Sequence, residues 1–121
     1  MKTILIYGAA GYTGRMITAQ ATIAGLNIIV AGRKEQPLAA LAKSLDVGMR
    51  VFSLEDKGEV IRQLKGVSVV LNCAGPFAGT AESLMSACIA QGIHYLDITA
   101  EINVYRLAES LGIWLRGLAA C

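Results

Sequence analysis

The sequence predicts an α/β protein: a Rossmann-like, doubly wound parallel sheet of about five strands with helices on both faces. Three observations carry it. Short β-branched apolar runs alternate five times with stretches of helical periodicity, the pattern of a parallel sheet. Those runs are apolar at nearly every position, as strands covered on both faces are. The composition, 55% hydrophobic against 17% charged in 121 residues, suits two-sided cover within one domain of ordinary size and excludes a disordered chain. Right-handed crossovers then give the strand order 3-2-1-4-5.

Thr3-Ile-Leu-Ile-Tyr7 is the first strand. A glycine-rich turn follows, and Arg15 to Ala24 reads as a helix with Met16, Ile17 and Ala24 inward and Gly25 as its stop. Asn27-Ile-Ile-Val-Ala31 is the second strand. Pro37 suits the first position of the next helix, whose face is Leu38, Leu41, Ala42 and Leu45 at helical spacing. Arg50-Val-Phe-Ser53 is a third, weaker strand. Asp56 to Lys65 is a helix with Asp56 as N-cap, Glu59 at the capping-box position and Val60, Ile61 and Leu64 inward. Ser68-Val-Val-Leu-Asn72 is the fourth strand. Thr80 to Gln91 is a helix with Ala81, Leu84, Met85 and Cys88 inward and Gly92 ending it. Tyr95-Leu-Asp-Ile98 is the fifth strand, and Thr99 caps a last helix through Val104, Leu107, Ala108 and Leu111 to Gly112. Residues 1–112 thus form one domain. The apolar stretch 113–121, with Trp114 and a single charge at Arg116, falls outside this rhythm and stays unassigned.

Charge and cysteines narrow the class. A net charge of +2, with no Lys/Arg run, gives no footprint for nucleic acid. Three cysteines, Cys73, Cys88 and Cys121, lack CxxC or Cys/His spacing, so no metal is expected. Their odd number suits a reducing cytoplasm, which is the expected location. The stretch between Arg15 and Arg33 is uncharged but interrupted by Thr18, Gln20, Thr22, Gly25 and Asn27, so no membrane span is read there.

Gly8-Ala-Ala-Gly11-Tyr-Thr-Gly14 is a G-x-x-G-x-x-G turn between the first strand and its helix. Gly8 permits the sharp turn, Gly11 removes the Cβ that would block a pyrophosphate, and Gly14 lets helix and sheet pack closely. The helix N-terminus offers free amides and a positive dipole end to phosphate. The motif opens a βαβ series, the context that makes dinucleotide binding the expected role. At the end of the second strand, where NAD-binding units place an acid for the ribose 2′-OH, stands Arg33, followed by Lys34. A guanidinium pairs with a 2′-phosphate through two hydrogen bonds, so NADP(H) is expected over NAD(H).

After the fourth strand, Asn72-Cys73-Ala74-Gly75-Pro76 turns at the carboxyl edge, where small residues let a cofactor pass. Asn72 either hydrogen-bonds a ribose or amide, or closes a turn on its own backbone. Cys73 reads as a small hydrophobe rather than a nucleophile, because no His accompanies it. Asp56 is a cap before it is an adenine contact. His94, the single histidine, starts its strand at the end away from the crevice and reads as structural. Asp97 lies nearer the useful end. No Tyr stands four residues before Lys34, Lys43, Lys57 or Lys65, so the short-chain reductase acid/base pair is missing.

Four segments, Ile6 to Arg15, Ala31 to Arg33, Leu71 to Phe77 and His94 to Glu101, resemble the NADP-binding domain of the saccharopine dehydrogenase family, including its trans-acting enoyl reductases. The resemblance covers about residues 1 to 111. Relatives often have Gly where this chain has Ala100. What it implies is a nicotinamide-dependent oxidoreductase in which Gly8, Ala10, Gly11, Tyr12, Thr13 and Gly14 hold the pyrophosphate. Arg33 and Lys34 hold the 2′-phosphate, and Asn72, Ala74, Gly75 and Pro76 pass the nicotinamide side. Family members carry a further substrate domain, which is expected to be absent here, so no catalytic residue is carried over. The expected role is therefore to position a nicotinamide for hydride transfer to or from a small molecule. The alternative is a non-catalytic NADP(H)-binding module or a truncated fragment. A second copy or a separate substrate domain are the candidate partners.

Overall fold

The computed structural model describes residues 2–74 and 78–97. The elements in order are β1 (Thr3–Tyr7), α1 (Tyr12–Ile23), β2 (Asn27–Gly32), α2 (Glu35–Leu45), β3 (Gly48–Val51), α3 (Lys57–Gln63), β4 (Val69–Asn72), α4 (Ala78–Gln91) and β5 (His94–Asp97). The strands form one sheet in the order β3-β2-β1-β4-β5, and every pairing is parallel. This is the predicted fold and the predicted order. The expectations for Gly75, Pro76, the side chains of Ala81 and Asp97, Thr99, and the helix and tail beyond it fall outside the described residues.

Alternation along the strands builds two cores. On one face Ile4, Ile6, Ile28, Val30, Val69 and Leu71 pack against Ile17, Ala21, Leu38 and Ala42 of α1 and α2. On the other face Leu5, Tyr7, Ala31 and Val70 pack against Val60 of α3, Leu64 just after it, and Leu84, Ala87 and Cys88 of α4. Successive strand residues point to opposite faces, so a continuous apolar run is what two covered faces require.

Local details depart from the sequence reading. Helix α1 begins at Tyr12, three residues before Arg15, because Gly11 is its N-cap and no side chain caps it. Its buried face is Gly14, Ile17, Thr18 and Ala21, not Met16 and Ala24. Thr18 is admitted to the core because its hydroxyl donates to the Gly14 carbonyl at 2.7 Å. Pro37 lies in the first turn of α2 but is its third residue. Strand β3 starts at Gly48, opposite Ile29 of β2, and β5 starts at His94, opposite Val69 of β4. Ile61 and Met85, expected inward, are exposed, and Ala87 is buried in the α4 face instead. Asp56 caps α3 as expected, accepting from Gly58 and Glu59 amides at 2.9 and 3.3 Å. Glu59 accepts from Arg62 and Gln63, and those bonds, Gln63 first, hold its carboxyl below the usual range.

Candidate functional site

Strand order reverses between β1 and β4, and a parallel sheet leaves a crevice outside the carboxyl ends at that point. A cleft of about 800 Å³ lies there. Its floor is the turn after β1, with Tyr7, Gly8, Ala10 and Gly11. One wall is the end of β2 and the start of α2: Gly32, Arg33, Lys34, Pro37 and Leu38. The connection after β3 contributes Ser53, Leu54 and Glu55. Cys73 and Ala74 after β4, with Ser83 of α4, border the other end.

The three motif glycines have different reasons to be glycine. Gly8 has φ +79°, and a Cβ there would sit 2.7 Å from the Ala74 backbone. A Cβ on Gly14 would overlap the Gly8 carbonyl oxygen and lie 2.8 Å from Ala9 Cα. Both are dictated by the close approach of three chain segments. Gly11 is different. Its backbone is extended, φ −72° and ψ 169°, and a Cβ would meet only the Gly8 oxygen at 3.4 Å, an ordinary contact. Among the described residues nothing demands glycine there, and Gly11 lines the cleft.

The first helical hydrogen bond of α1 runs from the Arg15 amide to the Gly11 carbonyl at 2.9 Å. The amides of Tyr12, Thr13 and Gly14 precede it, the orphan donors of a helix start, and the N-cap Gly11 has no side chain to receive them. An anion is the partner that such a terminus suits. Tyr12 itself is 75% exposed. Tyr12, Thr13 and Gly14 are not among the cleft-lining side chains, so what they can offer is backbone.

Arg33 and Lys34 are exposed at the cleft wall. Tyr7, by contrast, is buried, and its hydroxyl donates to the Phe52 carbonyl at 2.9 Å. Burial pushes its phenol above the ordinary value, while the Arg33 guanidinium pulls partly the other way.

Asn72 is 1% exposed. Its Oδ1 accepts from the Ala74 amide at 3.0 Å and its Nδ2 donates to Tyr95 Oη at 3.1 Å. The backbone-turn bond expected of this residue is present, and Asn72 shapes the bend on which Ala74 enters the cleft. Cys88 is buried, and burial raises its thiol to about 11. Asp56 stays outside the cleft lining, and His94 lies at the amino end of the sheet. Ser53, Leu54, Glu55 and Ser83 had no motif to announce them. Only the proximity of the strand ends reveals them. Among the described residues no group of His, Cys, Asp or Glu is arranged to hold a metal.

The profile of the saccharopine dehydrogenase NADP binding domain matches residues 4–119. The chain belongs to that family. A human saccharopine dehydrogenase-like oxidoreductase is 26% identical over 88% of this chain and 29% of its own length. A trans-acting enoyl reductase of Mycobacterium ulcerans is 29% identical over 85% of the chain and 26% of its own length. The chain therefore spans between a quarter and a third of these relatives. Saccharopine dehydrogenase (L-Glu forming) of Saccharomyces cerevisiae shares the fold, with a TM-score of 0.69 at 20% identity over 88% of this chain and 23% of that one.

The expected cytoplasmic location does not stand. Family relatives include a lipid droplet localized protein of Caenorhabditis elegans and a probable mitochondrial saccharopine dehydrogenase-like oxidoreductase of Arabidopsis thaliana. Cysteine usage reports redox conditions, which several compartments share, and so it could not choose among them. Among the described residues no helix is long and apolar enough to cross a membrane.

Proposed function

We propose that this domain binds NADP(H) along the carboxyl edge of its sheet and positions the nicotinamide for hydride transfer to or from a small-molecule substrate. The observation that carries the reading is Gly11: a helix start without a side-chain cap, at a glycine that lines the cleft and whose added Cβ would meet only the Gly8 oxygen among the described residues. The pyrophosphate is received by Gly11 and the amides of Tyr12 to Gly14. Gly8 and Ala10 form the turn beneath it.

Arg33 and Lys34 receive the 2′-phosphate, which supports NADP(H) over NAD(H). An exposed guanidinium at this place favours a dianion and gives a ribose hydroxyl no acceptor. Ser53, Leu54 and Glu55 wall the adenosine end. Ala74, held by Asn72, borders the nicotinamide end, with Gly75 and Pro76 continuing that turn in sequence. When bound, the nicotinamide supplies or accepts the hydride, and the protein's share is orientation and exclusion of water.

Titration calorimetry with NADPH and NADH tests this directly. The expected result is saturable binding of both, with NADPH tighter by about thirtyfold, the worth of one charge-assisted hydrogen bond. Equal affinities would remove the NADP preference. Absence of binding by either at millimolar concentration would remove the function.

A further inference from the structure

We infer that Tyr7 is a strut that sets the adenosine end of the cleft, acting through the connection after β3 rather than by touching the cofactor's reacting end. This rests on the NADP(H) reading above and deepens it by adding a positioning residue.

Tyr7 ends β1, and β3 lies two strands away, with β2 between them. In register, Tyr7 faces Ala31 of β2, and Ala31 faces Arg50 of β3. Tyr7 and Ala31 share the α3/α4 face with Phe52. Because Ala31 is small and fully buried, the tyrosine ring can pass over β2. It meets the Phe52 ring at 5.2 Å between centroids, tilted 53°. Its hydroxyl then donates to the Phe52 carbonyl.

Phe52 is the first residue after β3, and its amide donates to the Gly32 carbonyl of β2 at 3.0 Å. Its two backbone groups are therefore tied to β2 and to β1. From that anchored residue the chain runs directly into Ser53, Leu54 and Glu55, the adenosine wall. Between Phe52 and the Asp56 cap, the wall is held by the Glu55 amide on Ser53 Oγ, at 3.2 Å and exposed to water, and by Leu54, which packs against the α3/α4-face core that Phe52 belongs to. With one exposed hydrogen bond of its own among the described residues, this wall takes its position from its anchored ends and from the core that Tyr7, Phe52 and Leu54 share. The strut thus couples the glycine turn, which follows Tyr7 immediately, to the wall on the far side of the cleft.

The test is Tyr7→Phe, which keeps the ring and the packing and removes only the donor. Two readouts are taken: amide hydrogen exchange across residues 53–55 without ligand, and calorimetric affinity for 2′,5′-ADP, NADPH and NADH. The strut predicts faster exchange at 53–55 and about a fivefold loss for all three ligands, the scale of one buried hydrogen bond. The NADPH/NADH ratio stays constant, because Arg33 sets it. A purely structural role would lower the melting temperature and leave affinity of the folded protein unchanged. Unaltered exchange at 53–55, or unaltered 2′,5′-ADP affinity, overturns the strut. Failure of wild-type protein to bind 2′,5′-ADP or either dinucleotide overturns the NADP(H) reading instead, and the exchange result then still decides the structural coupling.

Discussion

The same five strands end in two very different surfaces. At their carboxyl ends lies the cleft of about 800 Å³, floored by glycines and flanked by Arg33 and Lys34. At their amino ends there is a dent of about 250 Å³ that includes Lys2, Ser68, Gln91 and His94. The amino end closes on itself. Asn27 donates to Thr3 Oγ1 at 3.0 Å, the Ser68 amide donates to the Thr3 carbonyl, and the His94 amide to the Ser68 carbonyl. The Gln91 side chain is turned to the Ile61 carbonyl. The carboxyl end leaves an uncapped helix start and an empty Cβ direction. Both ends carry cationic residues, so charge does not separate them. What separates them is unused hydrogen-bonding capacity next to open space.

Four substitutions can break or sharpen that contrast. The largest effect is expected from Gly14→Ala. The helix gains about 1 kcal/mol in propensity, but the new Cβ overlaps backbone of Gly8 and Ala9 that cannot yield, which costs about 3 kcal/mol. The net loss of about 2 kcal/mol should lower the melting temperature by roughly 10 °C, and an unchanged melt would mean the turn is looser than described. Next, Arg33→Gln should weaken NADPH binding by about thirtyfold, the scale of a lost charge-assisted contact, while leaving NADH untouched. An equal loss for both cofactors would place Arg33 elsewhere on the ligand. Third, Gly11→Ala should reduce affinity for both cofactors about tenfold, yet cost no more than about 1 kcal/mol of stability as a poorer N-cap. Wild-type affinity there would argue that the pyrophosphate lies away from Gly11. The smallest effect belongs to the closed end: His94→Gln should shift neither cofactor's affinity, and a calorimetric change would show that the two ends communicate.

Much of the fold was legible because two covered faces force continuous apolar strands, and such runs stand out. The glycine turn was equally legible. Helix details were less so. The start of α1 carries no Ser, Thr, Asp or Asn cap, so the glycine motif marked the turn but not which glycine is the N-cap. Thr18 belongs to the core because a neighbouring carbonyl takes its hydroxyl, a fact that apolar periodicity cannot register. Met85 sits on a helix with apolar residues around much of its circumference, and Ile61 follows directly on Val60 in the short α3. Which side turns inward is decided by the neighbouring helix and sheet. The bond from the Asn72 amide to Tyr95, on the adjacent strand, had no signal in the sequence.

The sequence by itself determined the strand order, the place of the glycine turn and the cations at the end of β2, since each depends on residues close in the chain or on chirality common to all such sheets. Tertiary structure alone decided the far wall of the cleft, from Phe52 to Glu55, and the strut from Tyr7 that holds it. Those residues lie 45 positions apart in the case of Tyr7 and Phe52. They meet only because β2 lies between their strands and carries a small residue, Ala31, where the ring must cross.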